Sequence, residues 1–214
     1  MTVALEHDLR HLFGPARDQG VRPTCLAFAA SDTHAAVRPG WAPLSCEYAY
    51  YHALHHDGSP PGDGATLRGM MTAIEKEGQP HENDWPYLST LPIDLDQWKP
   101  PANIDRLFRR ASEQKPIADL YALLDSGAPV IVAMTISNAF YRPDNVGVVA
   151  GNEPVDPTRR HAVIAVGYGL RSGERLTLVR NSWGEFWGFD GYAWLTEQYL
   201  TSRLIALVIM KESI

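Results

Sequence analysis

Three side chains suited to nucleophilic catalysis lie at separate points of the chain. Cys25 begins a stretch rich in alanine and leucine, His161 precedes an apolar run, and Asn181 follows another. A thiolate is a strong nucleophile, a histidine can accept and return its proton, and an amide oxygen can hold the imidazole in one tautomer. Singly, each residue has a simpler interpretation, such as a small buried thiol or a structural histidine. Together, in this order, they predict a thiol enzyme.

The segment that begins at Thr24 predicts a helix with Cys25 in its first turn. Residues 24–37 have high helix propensity, with Thr24 as the N-cap and Pro39-Gly40 beyond the C-terminal end. Apolar residues surround the first half of this helix, so we expect it to be buried. The free N–H groups and the dipole of a helix N-terminus favour negative charge, which lowers the pKa of a thiol placed there.

Helical patterns precede strand patterns along the chain. Residues 1–22 contain turn residues and are expected to form an extended segment, and prolines between residues 88 and 103 mark a crossing between two halves. Short runs rich in β-branched and aromatic residues follow. This order predicts an α+β fold, in which a helical lobe packs on a lobe built around an antiparallel sheet or barrel. Further helices are expected over residues 45–55, 66–77 and 117–126, and strands over residues 129–137, 161–170, 175–183, 191–196 and 204–211.

Three motifs carry a family resemblance: DQGVRPTCLAFAA around Cys25, HAVIAVGYG from His161, and NSWGEFWGFDGY from Asn181. They resemble the nucleophile, histidine and asparagine segments of the papain-like cysteine peptidases, in which His and Asn follow the Cys by about 130–150 residues. Here the two residues follow it by 136 and 156 positions. The resemblance implies one papain-like domain over residues 1–214 with the active site in a cleft between two lobes. The helical lobe is expected over roughly residues 10–112 and the β lobe over roughly residues 113–214.

The resemblance also implies a role for each residue. His161 takes the proton of Cys25 across the cleft and later protonates the leaving amine, while Asn181 orients the imidazole. Gln19 lies six positions before the nucleophile and is similar to the family's oxyanion donor, which acts with the backbone N–H of the cysteine. Trp183 is expected to cover the hydrogen bond between histidine and asparagine and to lie at the substrate site.

Three further positions matter for the substrate and the compartment. Asp63-Gly64 resembles the stretch along which family members hold the substrate backbone, with one of the usual two glycines. Arg22 stands where secreted relatives commonly carry a disulfide cysteine, and its side chain is expected to turn either toward the cleft or toward solvent. Leu26 replaces the usual tryptophan after the nucleophile. The absence of a disulfide cysteine at position 22 favours a reducing compartment.

Composition excludes several other classes of protein. The chain has 214 residues, of which 45% are apolar and 21% charged, and its formal net charge of -6 argues against a nucleic-acid partner. No apolar stretch is long enough to span a bilayer, and the start lacks a signal-peptide pattern. We therefore expect a cytoplasmic protein with no membrane partner, and export by a signal-independent route stays open.

The short segment before Gln19 bears on how the expected activity is controlled. Eighteen residues precede it, so the inhibitory pro-segment typical of the family is expected to be absent. Control would then rest on narrow specificity, a separate protein inhibitor, or delivery out of the producing cell. Removal of a pro-segment from a longer chain is the alternative.

Cysteine and histidine also cluster at a second place. Cys46 lies near His52, His55 and His56, but their order lacks a recognised zinc spacing, and a solvated helix end is the simpler interpretation. Both cysteines are expected to be free thiols. We expect no metal and no cofactor.

These observations predict a cysteine endopeptidase that hydrolyses peptide or protein substrates through a thioester acyl-enzyme. The same triad could instead carry another acyl transfer, as in a transglutaminase, a deamidase or a peptide ligase, since fold and triad alone do not decide the acceptor. A papain-fold binding module without catalysis is the other alternative. The intact set of Gln19, Cys25, His161 and Asn181 argues against that module.

Overall fold

The computed structural model describes residues 2–114, 117–151 and 153–211. No helix in these ranges combines the length and the apolar character needed to cross a membrane. The α-helices are α1 (Cys25–Ala36), α2 (Cys46–Asp57), α3 (Leu67–Lys76), α4 (Ala118–Asp125), α5 (Asn138–Tyr141) and α6 (Glu197–Arg203), and short 3-10 turns cover Arg10–Leu12 and Leu95–Gln97.

The strands join into one sheet. In the part of the chain that is described, their order is β2-β8-β3-β5-β6-β7-β4, and β1 pairs with β5 outside this path. All pairs are antiparallel except the parallel pair of β4 and β7. Helices followed by a large antiparallel sheet confirm the predicted α+β class. The strands are β1 (Ala4–Asp8), β2 (Arg110–Gln114), β3 (Val130–Thr135), β4 (Val148–Val149), β5 (Arg160–Arg171), β6 (Glu174–Arg180), β7 (Tyr192–Thr196) and β8 (Leu204–Lys211).

Each predicted helix and strand has a counterpart, but three strands were missed. The predicted helices correspond to α1 through α4, and the predicted strands to β3, β5, β6, β7 and β8. The missed β1 lies within residues 1–22, where its side chains are mostly exposed and backbone pairing with β5 holds it. Such a strand has no apolar alternation to reveal it. The predicted lobe boundary near residue 112 falls inside the missed β2, and the division into lobes stays a prediction.

Helix α1 occupies the centre of the fold. It contacts α2, α3, β3 and β5, and all its residues after Cys25 are buried, as its apolar circumference predicted. The predicted N-cap position of Thr24 is confirmed, but its side chain does not cap the helix. Thr24 lies at the N-cap position, but its hydroxyl makes no capping hydrogen bond and lies 2.9 Å from the Tyr87 hydroxyl instead. The N-terminal N–H groups of α1 therefore lack a side-chain cap.

The pairing of β5 with β6 determines where the histidine and asparagine lie. His161 is near the start of β5, opposite Met134 of β3. Because β6 runs antiparallel to β5 and its last residue, Arg180, pairs with Ile164, the residue after Arg180 lies beside the start of β5. That residue is Asn181, so adjacent strand ends bring it to His161.

Candidate active site

Cys25 is the first residue of α1 and is partly exposed. Burial of its thiol raises the pKa, and the backbone N–H groups of Ala162, Leu26 and Cys25 itself, which donate to the sulfur, lower it. Burial is the larger effect, so the pKa is raised overall, opposite to the direction that the helix start alone predicted. Because α1 packs on β5 and the Ala162 backbone lowers the pKa of this thiol, Cys25 lies on the side of α1 that faces the start of β5.

The imidazole of His161 is held by an amide oxygen. His161 Nε2 lies 2.7 Å from Asn181 Oδ1, and the Ser182 backbone N–H donates to the same oxygen at 2.8 Å. Because an amide oxygen accepts and does not donate, Nε2 carries the hydrogen and the lone pair of the neutral ring is on Nδ1. The structure thus places His161 and Asn181 together and leaves Nδ1 as the ring nitrogen that can accept a proton.

Both members of the thiol–imidazole pair are shifted toward their neutral forms. Burial lowers the pKa of His161 to about 4, and the hydrogen bond with Asn181 opposes that shift. Burial also raises the pKa of the Cys25 thiol. Both shifts favour the uncharged thiol and the uncharged imidazole, so a thiolate–imidazolium pair here would have to overcome the cost of burial by the mutual attraction of its two charges.

Aromatic rings cover the histidine. The Trp183 ring lies 4.8 Å from the His161 ring, and Tyr141 stacks on Trp183 at 5.1 Å with planes 18° apart. Phe140 meets both His161 and Trp183 edge-on, at 5.5 and 5.4 Å. The cover expected from Trp183 thus includes two rings of α5 that sequence reasoning missed. A four-residue helix offers no periodicity by which to find them.

Gln19 is buried and belongs to the same cluster. Its backbone N–H donates to the Ser182 carbonyl at 2.8 Å, and its Oε1 accepts from the Ser182 hydroxyl at 2.7 Å. Its Nε2 donates to the Arg22 carbonyl at 2.8 Å. An amide nitrogen carries two hydrogens, and this bond uses one of them.

Arg22 points neither to the cleft nor to solvent, contrary to both expectations. Its guanidinium is buried and donates to the Glu47 carboxylate at 2.7 and 3.0 Å and to the Leu88 carbonyl at 2.5 Å. It also lies over the rings of Tyr50 and Tyr87. A buried ion pair with α2 thus occupies the place where secreted relatives commonly have a disulfide.

The predicted substrate-backbone stretch lies near the nucleophile. A Cβ atom at Gly64 would be 3.9 Å from the Pro23 carbonyl, two residues before Cys25. Asp63 is exposed, and its carbonyl accepts from the Tyr50 hydroxyl at 2.5 Å. The role of Asp63 and Gly64 in holding substrate stays a prediction.

Cys46 is fully buried at the start of α2. Its sulfur accepts from Arg17 Nη2 at 2.8 Å, and burial raises the pKa of its thiol. Of the histidines nearby, His55 packs on Tyr51 and His56 lies 3.3 Å from Glu77. Within the described ranges, no group of three or more His, Cys, Asp or Glu side chains could hold a metal ion.

A cavity of about 560 Å³ opens beside Trp183. Its walls include Tyr141, Trp183, Phe186 and Phe189, and Phe186 is fully exposed. Since Trp183 packs on His161, the cavity lies on the histidine side of the candidate site. Four exposed or partly exposed aromatic rings at one mouth suit an apolar side chain.

A partly exposed cysteine at the start of a buried helix, and a histidine bonded to an asparagine at adjacent strand ends, form the arrangement expected of the papain type. Residues 44–206 match the papain family of cysteine proteases, so the chain belongs to that family. The matched residues include His161 and Asn181, and Gln19 and Cys25 precede them.

Relatives and solved structures agree with this assignment. A cysteine protease of Blomia tropicalis is 27% identical over 194 residues, covering 84% of this chain and 56% of the relative. Cysteine proteinase 1 of Entamoeba histolytica is 26% identical over 189 residues, covering 83% and 58%. The chain thus spans about half the length of the curated relatives it matches. The crystal structure of xylellain, a cysteine protease from Xylella fastidiosa, shares the fold, with a TM-score of 0.78, 24% identity, and coverage of 99% of this chain and 88% of that one.

Proposed function

We propose that this chain is a cysteine endopeptidase that hydrolyses peptide bonds, with Cys25 as nucleophile, His161 as base and Asn181 as the residue that orients the base. The observation that carries the proposal is the 2.7 Å contact between His161 Nε2 and Asn181 Oδ1 at the strand ends that face the start of α1. That contact makes Nδ1 the basic nitrogen, beside the helix start where Cys25 lies.

The reaction follows from these positions. His161 Nδ1 takes the thiol proton, and the sulfur attacks the carbonyl carbon of the scissile bond to form a tetrahedral intermediate. Gln19 Nε2 and the Cys25 backbone N–H stabilise the oxyanion. The imidazolium then protonates the leaving amine, which departs and leaves a thioester. Water, deprotonated by His161, attacks the thioester and releases the carboxylic acid and the thiol.

The burial of His161 is consistent with the proposed reaction steps. Because burial favours neutral His161, the imidazolium that forms during acylation readily gives its proton to the amine. The rings of Trp183 and Phe140 keep water from the hydrogen bond between His161 and Asn181, which preserves the tautomer.

We further propose that the cavity beside Trp183 receives the part of the substrate that follows the scissile bond. The leaving amine must face His161, which protonates it, and the cavity lies on that side. The exposed ring of Phe186 would contact an apolar side chain there. Phe186→Ser should lower kcat/KM for substrates with an apolar residue after the scissile bond and leave substrates with a small residue there unaffected.

The test of the function is turnover of a fluorogenic peptide library, with products identified by mass spectrometry. Hydrolysis would yield a free carboxylate and a free amine, and Cys25→Ala should abolish both. Transfer of the acyl group to an added amine, or release of ammonia from glutamine without chain cleavage, would replace the proposal with another acyl transfer. No turnover, together with no labelling of Cys25 by a thiol-directed epoxide, would indicate a binding module.

A further inference from the structure

A buried cluster of charges is centred on Asp32 of α1. Asp32 is 4% exposed and lies on α1, seven residues after Cys25. Seven residues are close to two turns of helix, so Asp32 is on the face of α1 that Cys25 also occupies. The carboxylate therefore faces the same strands as the thiol.

Each oxygen of this carboxylate is bound by a different arginine. Oδ1 accepts from Arg17 Nε at 2.9 Å and lies 2.7 Å from Arg17 Nη2. Oδ2 accepts from Arg180 Nε at 3.0 Å and lies 2.9 Å from Arg180 Nη2. Two charge-assisted pairs on one buried carboxylate fix its position more tightly than a single bond could.

The two arginines belong to the segments that carry the remaining site residues. Arg17 is two residues before Gln19, and Arg180 directly precedes Asn181. Asp32 itself is on the helix that begins at Cys25. One carboxylate thus ties together the three segments that bear nucleophile, oxyanion donor and orienting amide.

The remaining donors of Arg180 bind the same N-terminal segment. Its Nη1 donates to the Gly14 carbonyl at 2.9 Å and its Nη2 to the Pro15 carbonyl at 2.6 Å, and the Tyr192 hydroxyl lies 2.8 Å from Nη1. With its side chain 1% exposed, Arg180 has no water to replace these partners. The space between α1 and the ends of β5 and β6 is nearly filled, since the cavity there holds about 10 Å³.

We propose that Asp32 is a positioning residue, which sets the distance between Cys25 on α1 and the His161–Asn181 pair through its bonds to Arg17 and Arg180. It touches neither substrate nor reacting atoms. A loss of this contact lets α1 shift relative to β6, and small displacements of a nucleophile from its base slow the chemical step while substrate binding persists. This proposal rests on the proposed function only in that the cysteine and histidine work as a pair.

The test compares Asp32→Asn with a matched control, Glu47→Gln. Glu47 is the carboxylate of the other buried ion pair, on α2, and it contacts Arg22, the Leu88 N–H and Trp98 rather than any strand that bears a site residue. Both changes remove one negative charge from a buried arginine. We expect Asp32→Asn to lower kcat by about 10- to 100-fold with KM unchanged, and Glu47→Gln to lower stability with kcat unchanged in the folded fraction.

A second readout does not require peptide turnover. The rate of Cys25 alkylation by iodoacetamide is measured against pH for wild type, His161→Ala, Asp32→Asn and Glu47→Gln. Asp32→Asn should move the profile toward that of His161→Ala, and Glu47→Gln should keep the wild-type profile. If wild type cleaves no peptide, the proposed function fails, but this profile still decides the role of Asp32.

A conservative variant covers the case in which Asp32→Asn does not fold. Arg180→Lys keeps the charge, but its three N–H donors cannot replace the four bonds to Asp32, Gly14, Pro15 and Tyr192, and it should show the same change in kcat and in alkylation profile to a smaller degree. Equal effects in the Glu47 and Asp32 variants, or wild-type kcat and profile in a folded Asp32 or Arg180 variant, would overturn the proposal.

Discussion

The two cysteines occupy the same position in two different helices. Cys25 is the first residue of α1 and Cys46 is the first residue of α2. Cys25 is partly exposed and lies beside the start of β5, whereas Cys46 is completely buried with its sulfur 2.8 Å from Arg17. The same residue type at the same helical position therefore has two different chemical environments.

The N–H groups at the two helix starts are also used differently. At α2 the Ser45 hydroxyl accepts from the Tyr48 N–H at 3.0 Å, and the Cys46 N–H donates to Glu82 at 3.3 Å. At α1 no side chain caps the helix, and the N–H groups of Cys25 and Leu26 reach the Cys25 sulfur. The start of α1 thus has no capping side chain, whereas N–H groups at the start of α2 are bonded to the side chains of Ser45 and Glu82.

The dipole of a helix start therefore does not by itself distinguish the Cys25 thiol from the Cys46 thiol. Burial raises the pKa of both thiols, and what distinguishes Cys25 is access from solvent and a nearby imidazole whose tautomer is held by Asn181.

The largest expected effect separates the two thiols directly. Cys25→Ala should leave a folded protein with no peptidase activity, because the nucleophile is gone. Cys46→Ala should keep most of the activity, since Arg17 retains its bonds to Asp32 and Glu82. Activity is measured as peptide turnover and folding by circular dichroism. Comparable losses in both variants would mean that the two helix starts are not functionally distinct.

The next largest expected effect concerns Gln19 and Asn181, the side chains proposed to assist Cys25 and His161. Gln19→Ala should lower kcat by about 10²- to 10³-fold, the usual effect of one oxyanion donor. Asn181→Ala should also lower kcat more than it raises KM, because the tautomer of His161 is no longer held. Steady-state kinetics on one peptide substrate measures both. Unchanged kcat with weaker binding in either variant would assign that residue to substrate binding.

Sequence motifs located the candidate site residues, but they did not reveal all the contacts that hold those residues in place. Gln19, Cys25, His161 and Asn181 lie in motifs whose order is readable along the chain, and the structure brings the last two into contact and puts the others beside them. The ion pair of Asp32 with Arg180 joins residues 148 positions apart and exists only because α1 packs on β5, the strand beside β6. Side-chain capping of α1 also depends on contacts that the sequence does not reveal. Thr24 has the residue type of a cap, but the backbone at that position and the Tyr87 hydroxyl direct its side chain elsewhere.

A third prediction compares the acidities of the two thiols. The thiolate is the reactive form, so the alkylation rate follows the ionised fraction. Attraction to imidazolium should offset burial at Cys25, so that it reacts at mildly acidic pH. Cys46, with no solvent access, should react about 100-fold more slowly or not at all before unfolding. Iodoacetamide labelling against pH, with the modified residue mapped by mass spectrometry, measures both rates.

The sign of the pH dependence identifies the cause. If the ion pair forms, the Cys25 rate reaches a plateau below the thiol's ordinary pKa, and His161→Ala removes that plateau. If burial prevails, the rate rises only above the ordinary pKa of about 8.5, and His161→Ala changes nothing. The second result would show that the thiolate forms only when substrate is bound, and the contrast with Cys46 would then rest on access alone.

The smallest expected effect concerns the two caps. Ser45→Ala removes the bond to the Tyr48 N–H and the bond from its hydroxyl to the Trp85 carbonyl, and it should lower the free energy of unfolding by about 1–2 kcal/mol with kcat unchanged. Thr24→Ala removes no cap and loses the contact with the Tyr87 hydroxyl, so it should cost about 1 kcal/mol or less. Urea unfolding of both variants in a Cys25→Ala background, which prevents self-digestion, measures the difference. If Thr24→Ala lowers the free energy of unfolding more than Ser45→Ala does, then Thr24 caps α1 in solution. The starts of α1 and α2 would then not differ in whether a side chain caps them.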